Sequence, residues 1–406
     1  MLATGPARPA RTRRGLRRVL GTLCLTEITS WGVLYYAFPV LAARISIDTG
    51  WPVTSLMAAF SLSLVVSGLL GIAVGRWLDR YGPRWLMSAG SLLSALSVTG
   101  IALAPGLTMF LVAWVVAGVA MSAVLYAPAF AALTRWFGDQ RVKALTVLTL
   151  AAGLASTVFA PLTAALEAQL GWRHAYLVLA ALLVAVTVPA HLIGLRLPWP
   201  PSATIAAHPV PPLAIIRSRP FLSLVLALVL ASCASHAVLI NLVPLLGERG
   251  IGPGAAAVVL GVGGAGQVLG RLGYPRFADR LGVRVRTAAV LGGIAVTTAL
   301  LAALTSLATV IVVAVLAGMV RGVFTLLQAT AVTDRWGVRH YGTLSGTLSA
   351  PLTLAAAVAP FIGAALAAQL GGYTPMLWTM VALASVAAVL GLVTVPRPRN
   401  SANGSG

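Results

Sequence analysis

Apolar stretches about twenty residues long recur along the chain, separated by short polar connections. A spanning helix needs ~20 mostly apolar residues. Counting on that basis predicts twelve helices, near 19–43, 51–74, 85–104, 107–133, 144–166, 174–195, 220–245, 253–273, 287–304, 307–331, 343–368 and 374–395. The connection from Arg196 to Pro220 is longer and holds Pro198, Pro200, Pro201, Pro209, Pro211 and Pro212, which forbid a continuous helix and predict a stiff linker. The expected organisation is a basic N-terminal segment (1–18), a six-helix bundle (19–195), the linker (196–219), a second six-helix bundle (220–395) and a tail (396–406). The predicted fold class is all-α and integral to a membrane.

The two halves repeat each other. Gly75-Arg76-Trp77-Leu78-Asp79-Arg80-Tyr81-Gly82-Pro83-Arg84 lies between the second and third apolar runs. Pro275-Arg276-Phe277-Ala278-Asp279-Arg280-Leu281-Gly282-Val283-Arg284 lies between the eighth and ninth. Arg135-Trp136 returns as Arg335-Trp336, Ala160-Pro161 as Ala359-Pro360, and Gln169-Leu170-Gly171 as Gln369-Leu370-Gly371, all at offsets of 199 or 200. A duplicated charged connection within a duplicated apolar array suits a transporter better than an enzyme, with the substrate site expected near the midplane.

Composition supports a lipid-covered chain. Of 406 residues, 59% are hydrophobic and 9% charged, with a mean hydropathy of +0.95. A water-facing domain carries about 25% charged residues. The net charge of +20 arises from 28 Lys and Arg against 8 Asp and Glu. A basic soluble protein with this balance would suggest nucleic acid. Here the cations sit between apolar runs, so nucleic acid is excluded and membrane lipid is the expected neighbour.

Arg8, Arg11, Arg13, Arg14, Arg17 and Arg18 precede the first run. Alternate connections then hold Arg76, Arg80 and Arg84; Arg135, Arg141 and Lys143; Arg196, Arg217 and Arg219; Arg276, Arg280, Arg284 and Arg286; and Arg335 and Arg339. The opposite side keeps Arg44, Arg173 and Arg249. The asymmetry predicts cytoplasmic N- and C-termini in a cell membrane, such as a bacterial inner membrane. The basic start lacks a small-residue cleavage site and reads as an uncleaved first helix. Cys24 and Cys233 both fall within apolar runs, as small buried side chains rather than a disulfide or metal pair.

The first charged connection resembles the signature of the major facilitator superfamily, Gly-x-x-x-Asp-(Arg/Lys)-x-Gly-x-(Arg/Lys), matched by Gly75, Asp79, Arg80, Gly82 and Arg84. Asp279, Arg280, Gly282 and Arg284 match it again, with Pro275 replacing the first glycine. The resemblance covers roughly 15–396 and implies two pseudo-symmetric six-helix bundles. Tyr36-Ala37-Phe38-Pro39 and the run Arg271, Pro275, Asp279 are similar to the monocarboxylate-porter and oxalate-formate antiporter branch. There, an arginine at the place of Arg271 is the expected carboxylate ligand. Val40 and Gln267 stand where animal members carry the lysine and aspartate linked to proton coupling. Of the antiporter signature of the fifth helix, Gly153 and Pro161 remain.

Ionisable groups inside spans cost about 2.5–3.5 kcal/mol each by insertion scales, so each needs a reason. Arg271 either snorkels to lipid phosphates or grips a carboxylate with its planar fork. Arg321, midway along the tenth helix, either lines a wet cavity or pairs with an acid. Glu27 is the one acid deep in a span, either a permanent counter-ion or a proton carrier, since desolvation favours its neutral form and a nearby arginine its charged form. His236 and Asn241, near Ser232 and Ser235, read as packing groups or cavity liners, as do Tyr35, Tyr126, Gln267 and Gln328. In the signature, Asp79 is placed to accept from the N-terminus of a facing helix or to pair with arginine, holding one side shut, and Gly82 permits a tight turn. The alternative is a loop that only sets topology.

No phosphate-binding loop, nucleotide fingerprint, nucleophile motif or metal cluster occurs, so no cofactor, no metal and no enzymatic activity are expected. Gly261-Val262-Gly263-Gly264 reads instead as a close helix contact. No obligate protein partner is evident. The favoured expectation is a secondary transporter for a small organic anion, a monocarboxylate, coupled to protons or a counter-anion. In it Arg271 binds the carboxylate, Arg321 adds positive potential and Glu27 carries the proton. Efflux of an amphipathic drug or metabolite is the alternative. A non-transporting sensor has less support, for want of a signalling domain.

Overall fold

A computed structural model gives the architecture and describes residues 13–200, 211–251 and 253–396. Arg8, Arg11, the middle of the proline-rich linker and the tail from Arg397 lie outside the described residues. Among the described residues all regular secondary structure is helical. Helix α1 covers 13–49 and passes through a π-helical turn at Gly32–Tyr36. Pro39 has no N–H for the carbonyl four residues earlier, and the helix widens just ahead of it. Helices α2 (Val53–Tyr81) and α3 (Pro83–Leu103) are separated by Gly82 alone.

Helix α4 (107–137) is broken at the extended residue Leu125 and restarts at Tyr126. Pro128 sits in that new first turn, where its missing N–H is tolerated. Helix α5 (141–170) ends at Gly171, whose φ of 76° a side chain resists. Helix α6 (172–194) carries π-helical turns at Leu183–Thr187 and Ala190–Gly194, on either side of Pro189.

The remaining spans are α7 (219–248, with a break at Asn241), α8 (Pro253–Arg280), α9 (Val283–Ala303), α10 (Leu307–Thr330), α11 (Tyr341–Leu370) and α12 (Tyr373–Gly391). Eight helical stretches are long and apolar enough to cross a membrane, and one of them, Leu107–Gly194, contains α4, α5 and α6. With α1 and α8, whose ends are charged, they make the twelve spans. The signature residues differ from a simple loop. Gly75 to Tyr81 and Pro275 to Arg280 are the last turns of α2 and α8.

The described residues form two compact units. One holds residues 13–200 together with Val338–Thr353, and the other 211–337 with 354–396. Helix α11 therefore contributes its first turns to one unit and the rest to the other. In the first unit, Phe38, Phe60, Phe110 and Trp114 interlock at centroid separations of 4.9–6.3 Å. Gly68, Gly71 and Gly75 of α2 face the first turns of α11, and a methyl group at Gly75 would overlap the Gly342 carbonyl oxygen. In the second unit, α8 packs closely on α10. Methyl groups at Gly318 and Gly322 would overlap the carbonyl oxygens of Gly263 and Gln267. Small residues let helix backbones approach where lipid supplies little drive for association.

Candidate functional site

Within the second unit, four helices each turn one stripe towards a common cavity. The stripes are Ser235, Val238, Leu239 and Leu242 of α7; Val259, Leu260 and Gly263 of α8; Ile294, Thr297, Thr298 and Leu301 of α9; and Ala314, Ala317, Gly318 and Arg321 of α10. Their spacing of three, four and seven puts each set on one helix face. Arg321 is the one cation among these lining residues, and its Nε has no hydrogen-bond partner. Ser235, Thr297 and Thr298 add hydroxyls, and the rest of the wall is aliphatic apart from two glycines.

Arg271 of α8 lies outside this lining. It is buried and donates through Nη2 to Gln267 Oε1 at 3.4 Å. It is close enough to Arg321 for the two charges to interact, and Arg321 is likewise close to His236. His236 is held through Nδ1 at 2.8 Å from the Ser232 carbonyl oxygen. Asn241, at the α7 break, donates to the carbonyls of Ala237 at 2.8 Å and Pro360 at 3.3 Å, which fastens α7 to α11 within this unit. The structure thus brings Arg271, Gln267, Arg321 and His236 together, while Asn241 does a structural job further along α7.

Gln328 lies further along α10, outside this lining, while Glu27, Tyr35 and Tyr126 belong to the first unit. Glu27 is completely buried in α1. Its Oε2 accepts from Trp31 Nε1 at 2.9 Å, and its Oε1 has no hydrogen-bond partner. Trp31 stands against the rings of Tyr35 (5.2 Å) and Tyr126 (4.9 Å), so α1 and the broken α4 meet at an aromatic cluster. Among the described residues, no ion pair to Glu27 is present. That leaves the counter-ion reading of Glu27 without a cation.

The two signature copies differ in what they do. Asp79 Oδ1 accepts from the Gly342 N–H at 3.0 Å, and Oδ2 accepts from both the N–H and the hydroxyl of Thr343 at 2.8 Å. The carboxylate therefore sits on the N-terminus of α11, where orphan donors and the helix dipole favour an anion. Arg135 donates to the Asp79 carbonyl at 3.0 Å and lies 4.6 Å beneath the ring of Trp199, at the start of the linker. Arg84 donates to the Leu192 carbonyl at 3.0 Å, and Arg80 lies over Tyr81. Gly82 takes φ 79°, whereas Gly282 takes φ −60°. Asp279, Arg280 and Arg284 are exposed.

One cluster was not legible in the sequence. Arg286 pairs with Asp334 and donates to the Ala278 carbonyl, and both charged side chains are under 10% exposed. Arg335 donates to Thr287 Oγ1 and Thr394 Oγ1, each at 2.7 Å. Burial pushes Arg335 down to about 10, against the opposing pull of Asp334. Tyr274 and Thr330 share a hydrogen bond of 2.8 Å beside it. Arg286 and Arg335 read as loop cations, and a signal was present in Asp334, an acid in an otherwise basic connection.

The sequence matches a family model described as Major Facilitator Superfamily over residues 23–313 and 276–406. The chain is 33% identical over 158 residues to an uncharacterised 38 kDa protein of Thermoproteus tenax, covering 39% of this chain and 41% of that protein. It is 26% identical to an MFS-type transporter of Gibberella moniliformis, covering 77% and 75%. It is 30% identical to human monocarboxylate transporter 11, covering 60% of this chain and 51% of the relative. Among solved structures, the Escherichia coli fucose:proton symporter FucP superposes with a TM-score of 0.72 over 93% of this chain and 98% of that one, at 14% identity, a likeness of fold.

Proposed function

Because the chain belongs to the major facilitator superfamily, and is thus a multi-pass membrane transporter and not an enzyme, we propose that it moves a small monocarboxylate by alternating access. The observation that carries this reading is Arg321 in the wall of the cavity of the second unit, with Nε free to donate. A guanidinium fork is the side chain best shaped to hold a carboxylate with paired hydrogen bonds. Arg271 stands behind it, tied to Gln267, and adds positive potential. The monocarboxylate transporters among the relatives support the same solute class.

Coupling is to protons or to a counter-anion. Glu27 is the proposed proton carrier, since a fully buried carboxyl with one hydrogen bond can change its charge without breaking an ion pair. The Asp79 cap on α11 is the proposed latch, made in one state of the cycle and released in the other. Both termini are proposed to face the cytoplasm of a cell such as a bacterium.

The test is counterflow in proteoliposomes with labelled carboxylates, with and without a pH gradient. Exchange that depends on the carboxylate and is lost in Arg321→Gln supports the reading. Undiminished exchange by Arg321→Gln removes Arg321 from it. The aliphatic wall also suits the second reading, export of an amphipathic solute. Equal transport of an apolar cation would favour that alternative.

A further inference from the structure

We propose that the preferred substrate is a monocarboxylate with an unbranched or lightly branched apolar tail, and not a small polar acid of the pyruvate or oxalate kind. This rests on the transport reading above and names the substrate class for the same cavity.

The polarity of the wall is graded along α10. Its stripe runs from Arg321 through Gly318 and Ala317 to Ala314. Seven residues at the helical rise span about 10 Å, roughly the length of an extended six- to eight-carbon chain. Gly293 of α9 meets Val320, so Ile294 lies near the level of Arg321. The short turn between α9 and α10 makes them antiparallel, and Leu301 therefore lies near the level of Ala314. Arg249, just past the end of α7, donates to the carbonyls of Leu301 and Leu304 at 2.8 and 3.0 Å, which puts the last turns of α7, with Leu242, at the Leu301 end and leaves Ser235 nearer Arg321. The cavity is cationic at one end and leucine-lined at the far end, with hydroxyls between.

A solute that satisfies this wall presents one anionic group to Arg321 and an apolar tail to Leu242 and Leu301. A short polar acid would leave that far end unfilled. A dicarboxylate would push its second charge against leucines, with no partner among the described lining residues. Each methylene buried against the aliphatic wall should tighten apparent affinity about fourfold, the effect of ~0.8 kcal/mol per CH₂. The gain should stop when the tail outgrows the stripe.

The test is counterflow by the full chain in proteoliposomes, using straight-chain 2-oxo acids from pyruvate to 2-oxooctanoate. These acids are strong enough to stay ionised and leak slowly, and protein-free vesicles measure the residual leak. The expected result is a half-saturation concentration that falls stepwise with tail length to an optimum near six or seven carbons. In Ala317→Leu, which fills the middle of the stripe, the optimum should move at least one carbon shorter, with the longest acids losing more affinity than pyruvate does. Leu301→Ala, which strips the far end of the wall, should weaken the longest acids most, and Ala317→Leu keeps the proposal testable if Leu301→Ala fails to fold. Pyruvate exchanged better than every longer acid overturns the tail proposal and leaves the transport reading standing. Exchange of no acid in the series, by protein that still runs as a monodisperse species, overturns both.

Discussion

Asp79 holds Thr343 twice, accepting its backbone N–H and its hydroxyl at one carboxylate oxygen, each at 2.8 Å. A side chain at the end of α2 thereby acts as the capping residue of α11, 264 positions away in sequence. The glycine contact at Gly75 and Gly342 brings the two helices close enough for it.

Loss of that cap should be measurable as stability. Asp79→Asn keeps the shape and removes the charge. It is expected to cost about 1–2 kcal/mol, in the range of capping interactions. A fall in the melting temperature of purified protein would show it, with Thr343→Val losing less because the N–H donor remains. If Asp79→Asn melts like the parent, the cap contributes nothing.

The two signature glycines should respond differently. A methyl at Gly82 would meet the Trp199 ring at 3.0 Å from a left-handed backbone, whereas Gly282 has an ordinary φ and open space around it. Gly82→Ala is expected to destabilise by at least ~1 kcal/mol, and Gly282→Ala to be neutral or slightly stabilising. Paired thermal melts decide this, and equal shifts in the two variants would refute it.

The buried pair Arg286–Asp334 predicts a large effect. Asp334→Asn leaves a buried guanidinium without its anion and should cost about 3–5 kcal/mol. Replacing both partners, as Arg286→Met with Asp334→Leu, should recover much of the loss. Detergent-solubilised yield and melting temperature are the readouts, and a double variant as unstable as Asp334→Asn would argue against a simple desolvation cost.

Glu27→Gln separates coupling from binding. It keeps the oxygen that accepts from Trp31 and removes the titrating group. Proton-driven accumulation should vanish while counterflow at constant pH persists. Accumulation equal to the parent would exclude Glu27 from coupling.

The two cavity arginines should be unequal. Arg321→Gln removes the cation from the wall, and a loss of at least a hundredfold in exchange is expected, in keeping with ~3 kcal/mol for a charged hydrogen-bonded pair. Arg271→Gln removes a charge one step back and should lose about tenfold. Half-saturation constants measured side by side give the ranking.

The sequence by itself determined the twelve spans, the internal duplication and the family. Apolar run length is a local property that lipid enforces, and the motif at Gly75–Arg84 lies within ten consecutive residues. Tertiary structure decided what the repeated parts do. Asp79 and Asp279 share a motif, but one caps α11 and the other is exposed, because the donors that meet Asp79 come from a distant segment. Arg271 and Arg321 are both arginines in apolar helices. Only the angular position of each around its helix, set by the glycine contact of α8 with α10, puts Arg321 in the cavity wall and turns Arg271 to Gln267. Side-chain direction and long-range packing are not written in local composition, so the site had to be read from the fold.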